Sequence, residues 1–320
     1  MKKTLFIIGF LFIILAGVTA TNLNKREQRD INKLNVVTTL FPLYDFAKNI
    51  GGDQTEVTLL LPPGVEAHSF EPKPSDIAKI NEADLFVYTG KFMEPWAEDI
   101  IKSVTNKNIK FVDASLGIEL MEEKSKEQKH NNEHDEEEDA HGHGGIDPHI
   151  WLDFDNAKMM VNTIAEALME KDPQNIPLYR ENAENYKAEL TKLDDEYKKG
   201  LAFCQSKEII YGGHYAFGYL ARRFNLKYYS VQGFSPDSEP TAKDIIDLVD
   251  QIKRKQIKYI FYEELTSPKI AEALAGETET KMLLLNAAHN LSREDFKNNT
   301  TFISLMKQNL HNLKIGLQCR

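Results

Sequence analysis

Short apolar runs alternate with amphipathic helical patterns from residue 34 to the end of the chain. In the first half, strands are predicted at 34–40, 56–61, 84–89 and 110–113, with helices at 43–50, 75–82 and 96–104. In the second half, strands are predicted at 208–211, 227–231, 259–262 and 281–285, with helices at 215–224, 242–253, 268–275 and 302–317. This alternation indicates an α/β fold with mostly parallel sheets that are covered on both faces.

Two stronger helical patterns lie between the halves, at 156–170 and 173–201. In the second pattern, apolar side chains recur at helical spacing from Tyr179 to Leu201. A helix of this length would span roughly 40 Å, which is the width of a domain. We therefore predict two similar α/β lobes joined by one long rigid helix. The predicted boundaries are 34–172 for the N-terminal lobe, 173–203 for the linking helix and 204–320 for the C-terminal lobe.

The segment 121–145 interrupts the first lobe with a sharp change in composition. It carries nine acidic residues and three lysines, together with His130, His134, His141 and His143. No apolar periodicity is present, so the segment is predicted to be a solvated, flexible loop. Imidazoles and carboxylates on such a loop bind metal ions weakly, which favours a low-affinity metal-collecting or sensing tether. A plain solvated linker is the alternative.

The N-terminal segment 1–20 has the pattern of an export signal. Two lysines precede an apolar stretch at 5–15, and small residues follow up to Ala20. We expect the protein to work outside the cytoplasm, with cleavage after Ala20 or with the segment retained as an anchor. The residues before Val18 resemble a bacterial lipobox, but Val18 stands where that motif has its lipidated cysteine. A lipid anchor at this position is therefore not expected.

Composition narrows the possible classes of function. The 320 residues carry a formal net charge of −10, which argues against binding to the phosphates of a nucleic acid. The length fits two domains of ordinary size. With only Cys204 and Cys319 present, a disulfide-rich scaffold and a cysteine-rich zinc site are both excluded. The two cysteines could form one disulfide in an oxidising compartment, and two unpaired thiols are the alternative that we favour.

Four of the nine histidines lie in loops beyond predicted strands, where ligands bind in α/β sheets. His68 and His149 belong to the first lobe, and His214 and His289 belong to the second. Two histidines from each lobe predict a metal site in the cleft between the lobes. Neutral imidazole suits zinc, copper, nickel and iron, and four nitrogen ligands fit a closed tetrahedral zinc site.

The segments around three of these histidines resemble the metal-ligand loops of the zinc/manganese substrate-binding proteins of ABC importers. The matching segments are LPPGVEAHSFEP at 61–72, DPHIWLD at 147–153 and HYAFGYL at 214–220. The resemblance extends from about residue 35 to the C-terminus and includes the long helix and the acidic, histidine-rich loop of zinc-type members.

The resemblance implies that His68, His149 and His214 bind the metal, and a histidine at the third position is typical of zinc-type members. Many relatives have an acidic residue after the last strand, either at the position of Asn286 or a few residues later. This chain has Asn286 at that position and His289 three residues later. We expect His289 to serve as the fourth ligand. The alternative is a site of three histidines completed by water or by a glutamate.

Three glutamates stand close to these histidines or to a predicted strand end. Glu263 and Glu264 follow a strand of the second lobe, and Glu66 precedes His68 by two residues. Each could orient a ligand histidine, and a solvated side chain is the alternative in each case. His311 lies in the last predicted helix and receives no predicted role.

The implied function is that of a monomeric, extracytoplasmic solute-binding protein that captures Zn²⁺ for an ABC permease with its cytoplasmic ATPase. It would not be an enzyme. A manganese- or iron-binding member is the closest alternative, although Mn²⁺ favours oxygen ligands. A secreted zinc hydrolase would need an open coordination position and a general base, and no His-Glu-x-x-His helix occurs. A metal-buffering adhesin would use the same fold without transport.

Overall fold

The computed structural model describes residues 33–122, 145–230, 232–234 and 240–320. The described strands are β1 (Leu34–Thr38), β2 (Thr55–Leu59), β3 (Leu85–Tyr88), β4 (Lys110–Asp113), β5 (Met121–Glu122), β6 (Ile146–Asp147), β7 (Glu208–Tyr211), β8 (Lys227–Ser230), β9 (Tyr259–Tyr262) and β10 (Lys281–Leu284). The described α-helices are α1 (Phe41–Gly51), α2 (Pro74–Asn81), α3 (Ala97–Ser103), α4 (Phe154–Lys171), α5 (Ile176–Gly200), α6 (Gly218–Arg223), α7 (Ala242–Lys255), α8 (Lys269–Thr278), α9 (Arg293–Lys297) and α10 (Phe302–Gly316). The predictions for the segment 1–20, and for His130, His134, His141 and His143, lie outside the described residues.

Eight strands form two four-stranded parallel sheets that share one topology. The first sheet has the order β2-β1-β3-β4, and the second has the order β8-β7-β9-β10. In each lobe the first strand therefore lies between the second and the third, as the pairing of Val36 with both Val57 and Leu85 illustrates. Because the strands of a sheet are parallel, the loops that follow them emerge at one edge, where α/β proteins bind ligands.

Helix α5 is the long helix that the sequence predicts between the sheets. The predicted span of 173–201 divides into a 3-10 turn at Pro173–Asn175 and the α-helix proper at Ile176–Gly200. The helix packs against α1 and α4 in the first lobe and against α10 in the second. The prediction of an α/β fold with two parallel-sheet lobes and one long connecting helix is confirmed.

Two buried tyrosines attach α5 to both halves of the molecule. The hydroxyl of Tyr186 donates to the carboxylate of Asp45 on α1, and the hydroxyl of Tyr197 donates to the main-chain carbonyl of Met306 on α10, each over 2.6 Å. Burial raises the pKa of the Asp45 carboxyl to about 6, against the lowering effect of the Tyr186 hydroxyl. The helix is thus held by specific hydrogen bonds as well as by its apolar stripe.

Several element boundaries differ from the predicted ones. The helix predicted at 215–224 begins only at Gly218, because the residues before it form the loop that carries His214. The insertion predicted to begin at Met121 has its first two residues in an antiparallel pair with Ile146–Asp147. The short helix α9, whose first turn is capped by Ser292, was not predicted. Two-residue strands and five-residue helices are too short to show a periodic pattern.

Cys204 and Cys319 form a disulfide in the structure, so the favoured alternative of two unpaired thiols is wrong. Cys204 lies just beyond the end of α5, and Cys319 lies just beyond the end of α10. Because α5 and α10 pack together, the main chain of the two cysteines meets in an isolated antiparallel bridge. The proximity depends on the packing of the two helices, which the sequence alone does not reveal.

Candidate metal centre

The structure brings together the four histidines that were predicted to form the central metal site. His68, His214 and His289 lie in the loops that follow β2, β7 and β10, and His149 lies between β6 and a 3-10 turn at Ile150–Leu152. One nitrogen of each ring lies within 4.8 Å of the corresponding atoms of the other three. His149 and His214 are fully buried, His289 is buried and His68 is half-buried.

The four rings form a nearly regular tetrahedron. All six distances between ring centroids fall between 4.8 and 5.3 Å. The Nε2 atom of His149 lies 3.3 Å from Nε2 of His68 and 3.2 Å from Nε2 of His214. A tetrahedral zinc ion with Zn–N bonds of 2.0–2.1 Å would separate its ligand nitrogens by about 3.3–3.4 Å. The spacing of these three nitrogens therefore fits a zinc ion.

A carboxylate fixes the ring of His149. Oδ1 of Asp147 accepts a hydrogen bond from the main-chain N–H of His149 over 3.0 Å and lies 2.7 Å from Nδ1 of the same residue. Because an ionised carboxylate only accepts, Nδ1 carries the proton in the neutral ring, and Nε2 presents its lone pair to the centre. Asp147 is itself held through its main-chain carbonyl, which accepts from the hydroxyl of Tyr219 over 3.2 Å.

Glu263 fixes the ring of His214 in the same way. A carboxylate oxygen lies 2.8 Å from Nδ1 of His214, and the main-chain N–H of His214 donates to Oε2 over 3.3 Å. The prediction that Glu263 or Glu264 orients a ligand histidine thus has a structural counterpart in Glu263. Burial, together with the nearby Asp295, raises the pKa of Glu264 to about 7.

These two tautomers have a direct chemical consequence. With Nδ1 protonated on both rings, the neutral His149 and His214 direct two lone pairs at each other across 3.2 Å. Two acceptors cannot form a hydrogen bond with each other. A cation placed between them would accept both lone pairs. The centre is therefore organised to bind a positive charge.

The loop of His68 is held through its main chain. Glu66 accepts hydrogen bonds from the main-chain N–H groups of His68 and Ser69 over 2.9 and 2.8 Å. Asn290 of the second lobe donates to the main-chain carbonyls of Pro62 and Val65 over 2.8 and 2.9 Å. The loop is thus closed at one end by its own glutamate and attached at the other to the loop of His289.

The loop of His289 is attached to the first lobe. The main-chain N–H of Phe41 donates to the carbonyl of His289 over 3.0 Å, and the indole N–H of Trp151 donates to the carbonyl of Ala287 over 2.8 Å. The Nε2 atom of His289 is buried and has no hydrogen-bond partner among the described residues. Burial, together with the nearby His214, holds the pKa of His289 well below its usual range, which favours the neutral, metal-binding form.

The sequence did not identify every residue that shapes the centre. Asp147 lies in a segment that carries the family resemblance, yet no role was predicted for it, nor for Trp151 or Asn290. The Asp-Pro-His spacing, which lets the aspartate reach back to the histidine two residues later, was a usable signal for Asp147. The contacts of Trp151 and Asn290 cross between distant parts of the chain and leave no local signal. His311 is exposed on α10 and takes no part.

Comparison with known proteins places this geometry in a family. Residues 36–316 match the family described as "Zinc-uptake complex component A periplasmic". The chain is 40% identical over 313 residues to the high-affinity zinc uptake system protein ZnuA of Bacillus subtilis, which covers 98% of this chain and 97% of that protein.

Solved structures of zinc-binding and metal-transporting proteins resemble this chain as well. The Zn(II)-bound ZnuA-like domain of Streptococcus pneumoniae AdcA is 34% identical, with a TM-score of 0.74 over 89% of this chain and 99% of that domain. The laminin-binding protein Lmb of Streptococcus agalactiae, described as bifunctional with adhesin and metal-transporting activity, is 30% identical. Its TM-score is 0.78, with coverage of 89% of this chain and 99% of that chain.

Proposed function

The chain belongs to the family of periplasmic zinc-uptake component A proteins, and from this membership we propose that His68, His149, His214 and His289 capture Zn²⁺ for delivery to an ABC-type permease. The family consists of solute-binding proteins for zinc uptake, and this is the function of the chain. The observation that carries the ligand assignment is the tetrahedral convergence of four imidazoles in a buried centre.

The nature of the ligands supports zinc as the cargo. All four donor groups at the centre are imidazole nitrogens, which suit zinc, whereas Mn²⁺ favours carboxylate and carbonyl oxygens. The carboxylates of Asp147 and Glu263 contact the Nδ1 atoms of His149 and His214, on the side of each ring away from the centre. This arrangement supports His289, and not a glutamate, as the proposed fourth ligand.

The closed arrangement supports a carrier and argues against a hydrolase. Four protein ligands would complete the coordination of zinc, whereas a catalytic zinc keeps a position open for water or substrate. Asp147 and Glu263 each accept hydrogen bonds from a histidine, so neither is available as a general base. We therefore propose that the protein binds and releases its metal without a chemical step.

We further propose that the protein is exported and works as a monomer beside its permease. No helix in the described ranges, which begin at residue 33, is long and apolar enough to cross a membrane. Export and monomeric state are measured directly, by fractionating cells for the processed chain and by light scattering of the purified protein. Recovery of the protein from the cytoplasm would contradict the proposed location.

The ligand assignment is tested by competition between Zn²⁺ and Mn²⁺ for the metal-free protein, in the wild type and in His289→Ala. We expect zinc to outcompete manganese, and the variant to bind zinc more weakly. Unchanged zinc affinity in the variant would show that three histidines suffice, and a preference for manganese would overturn the zinc assignment. Growth in zinc-poor medium distinguishes an importer, whose loss slows growth, from a metal buffer.

A second role in adhesion has one specific observation in its favour, which is the likeness to the laminin-binding protein of Streptococcus agalactiae. We propose binding to an extracellular-matrix glycoprotein as a function additional to zinc capture. Surface plasmon resonance on immobilised laminin is the test, with serum albumin as the control surface. Equal retention on both surfaces would contradict this role.

A further inference from the structure

Two of the four histidines share one arrangement of supporting groups. In each case a single carboxylate holds both Nδ1 and the main-chain N–H of the same histidine: Asp147 for His149 and Glu263 for His214. The first pair is two residues apart in the chain and the second is 49 residues apart. Because two unrelated local sequences produce the same arrangement, it is not a by-product of one kind of turn.

A glycine makes room for each of these carboxylates. A Cβ atom built on Gly218 would lie 2.5 Å from Oδ2 of Asp147, and one built on Gly213 would lie 2.6 Å from Oε2 of Glu263. Real Cβ atoms do not approach other atoms so closely, so any other residue at either position would force the carboxylate or a neighbouring tyrosine ring to shift. Both carboxylates are themselves buried. The surroundings thus keep two negative charges directly behind the centre.

The charges at the centre balance only for a dication. Four neutral imidazoles contribute no charge, so a bound Zn²⁺ would bring two positive charges into a site that water reaches poorly. Burial of uncompensated charge is strongly unfavourable, and the carboxylates of Asp147 and Glu263 supply two negative charges one ring away. A monocation would instead leave the same group of side chains with one negative charge in excess.

We propose that Asp147 and Glu263 act as the counter-charges of the bound metal and make the site selective for dications over monocations. The proposal rests on the proposed function, in which the four histidines bind zinc. It assigns the two carboxylates an electrostatic role in specificity, in addition to the orientation of the rings. Orientation alone needs only a hydrogen-bond acceptor, which a neutral amide also provides.

The amide variants Asp147→Asn and Glu263→Gln separate the two roles. Each keeps the shape of the side chain and an oxygen that accepts from Nδ1, while the negative charge is lost. We expect each variant to weaken Zn²⁺ binding by about 10–100-fold, and the double variant by roughly the product of the two factors. Cu⁺ is the monovalent probe, measured against a colorimetric chelator under anaerobic, reducing conditions. Its affinity should change by less than about tenfold in each single variant.

Glu181→Gln is the matched control. It makes the same chemical change at an exposed position of the long helix α5. We expect the ratio of Zn²⁺ to Cu⁺ affinity to stay at the wild-type value in this variant. Thermal unfolding of the metal-free proteins completes the set: a midpoint at or above that of the wild type shows that each amide variant is folded.

Two results would overturn the proposal. If the amide variants bound Zn²⁺ as tightly as the wild type while Asp147→Ala and Glu263→Ala did not, the carboxylates would serve only to orient the rings. If Zn²⁺ and Cu⁺ affinities fell by the same factor, the charge would play no part in selectivity. Failure of the proposed function would be visible separately, as a wild-type protein that does not bind Zn²⁺ before any variant is compared.

Discussion

The pair His149 and His214 differs from the pair His68 and His289 in how the protein holds each ligand. Both rings of the first pair are fully buried, and each has a carboxylate on Nδ1. In the second pair, the hydrogen bonds described above act on the main chain of the loops. The first pair is therefore fixed at the ring and the second at the backbone. The comparison shows that the proposed metal centre combines two ways of holding its four histidines in place.

Deletion of single ligands tests this comparison with the largest expected effect. We expect His149→Ala and His214→Ala to lower zinc affinity by more than the roughly 10–100-fold cost of losing a carboxylate partner, since ligand and oriented lone pair disappear together. His68→Ala and His289→Ala should cost less, because the hydrogen bonds described for this pair fix the main chain of the loops and leave the carboxylate-oriented pair intact. Competition with a zinc chelator measures all four variants. Equal losses in the four would contradict a distinction between the pairs.

The hydrogen bonds of Asn290 connect the loops of His68 and His289, and removing them tests how the second pair is held. Asn290→Ala leaves the carbonyls of Pro62 and Val65 without their donor, and we expect a loss of about 2–3 kcal/mol in unfolding free energy. Denaturant unfolding of the metal-free protein measures this loss. The exposed Asn298→Ala serves as the control and should remain close to the wild type. A similar small loss in both variants would show that the connection between the loops contributes little.

The stability of the metal-free protein should depend on pH through His289, a member of the second pair. Its pKa is held well below 6.5 in the folded protein, so below pH 6.5 the unfolded chain takes up a proton that the native ring does not. The native state therefore loses stability as the pH falls, by about 1.4 kcal/mol per pH unit for this group. Unfolding of the metal-free wild type and of His289→Gln between pH 7 and 5 should differ by this slope.

Other buried groups titrate in the same pH range. The useful quantity is therefore the difference in unfolding free energy between the wild type and His289→Gln. Burial raises the pKa of Glu94 to about 7, and a carboxyl with a raised pKa makes the native state more stable as the pH falls. This contribution is common to wild type and variant and cancels. The exposed His311→Gln is the control, and it should show the wild-type slope. Parallel curves for wild type and His289→Gln would refute the assignment.

We expect the smallest loss of stability from Trp151→Phe. The substitution keeps a ring between His149 and His289 but removes the indole N–H that donates to Ala287, at a cost of about 1 kcal/mol in unfolding free energy. Zinc affinity should remain near the wild-type value, because no ligand is changed. Trp96→Phe, at the other tryptophan of the chain, is the control. A large drop in zinc affinity would mean that Trp151 positions the ligands more directly.

Sequence predicts those features of the molecule that leave a signal within a short stretch of residues. Strands β7 and β9 have the bounds that the apolar runs predict, and the four histidines were recognisable from their places beyond strands and from the segments around three of them. The contacts that hold the four histidines in place could not be predicted from local sequence. Glu263 reaches His214 across 49 residues, and Asn290 reaches Pro62 across 228, so neither contact shows in a short stretch of sequence. The first contact follows from the pairing of β7 with β9 in one sheet, and the second follows from the packing of the two lobes.

The disulfide closes almost the whole second half of the chain into a covalent ring. Cys204 and Cys319 are separated by 115 residues, and a ring of about 100 residues is expected to destabilise the unfolded chain by roughly 4–5 kcal/mol. A protease that cuts one exposed loop inside the ring would leave both fragments joined and the histidine-bearing loops on one molecule. In the exported location proposed above, reductants are scarce, so the disulfide would persist and a protein cut once inside the ring would stay one covalent molecule.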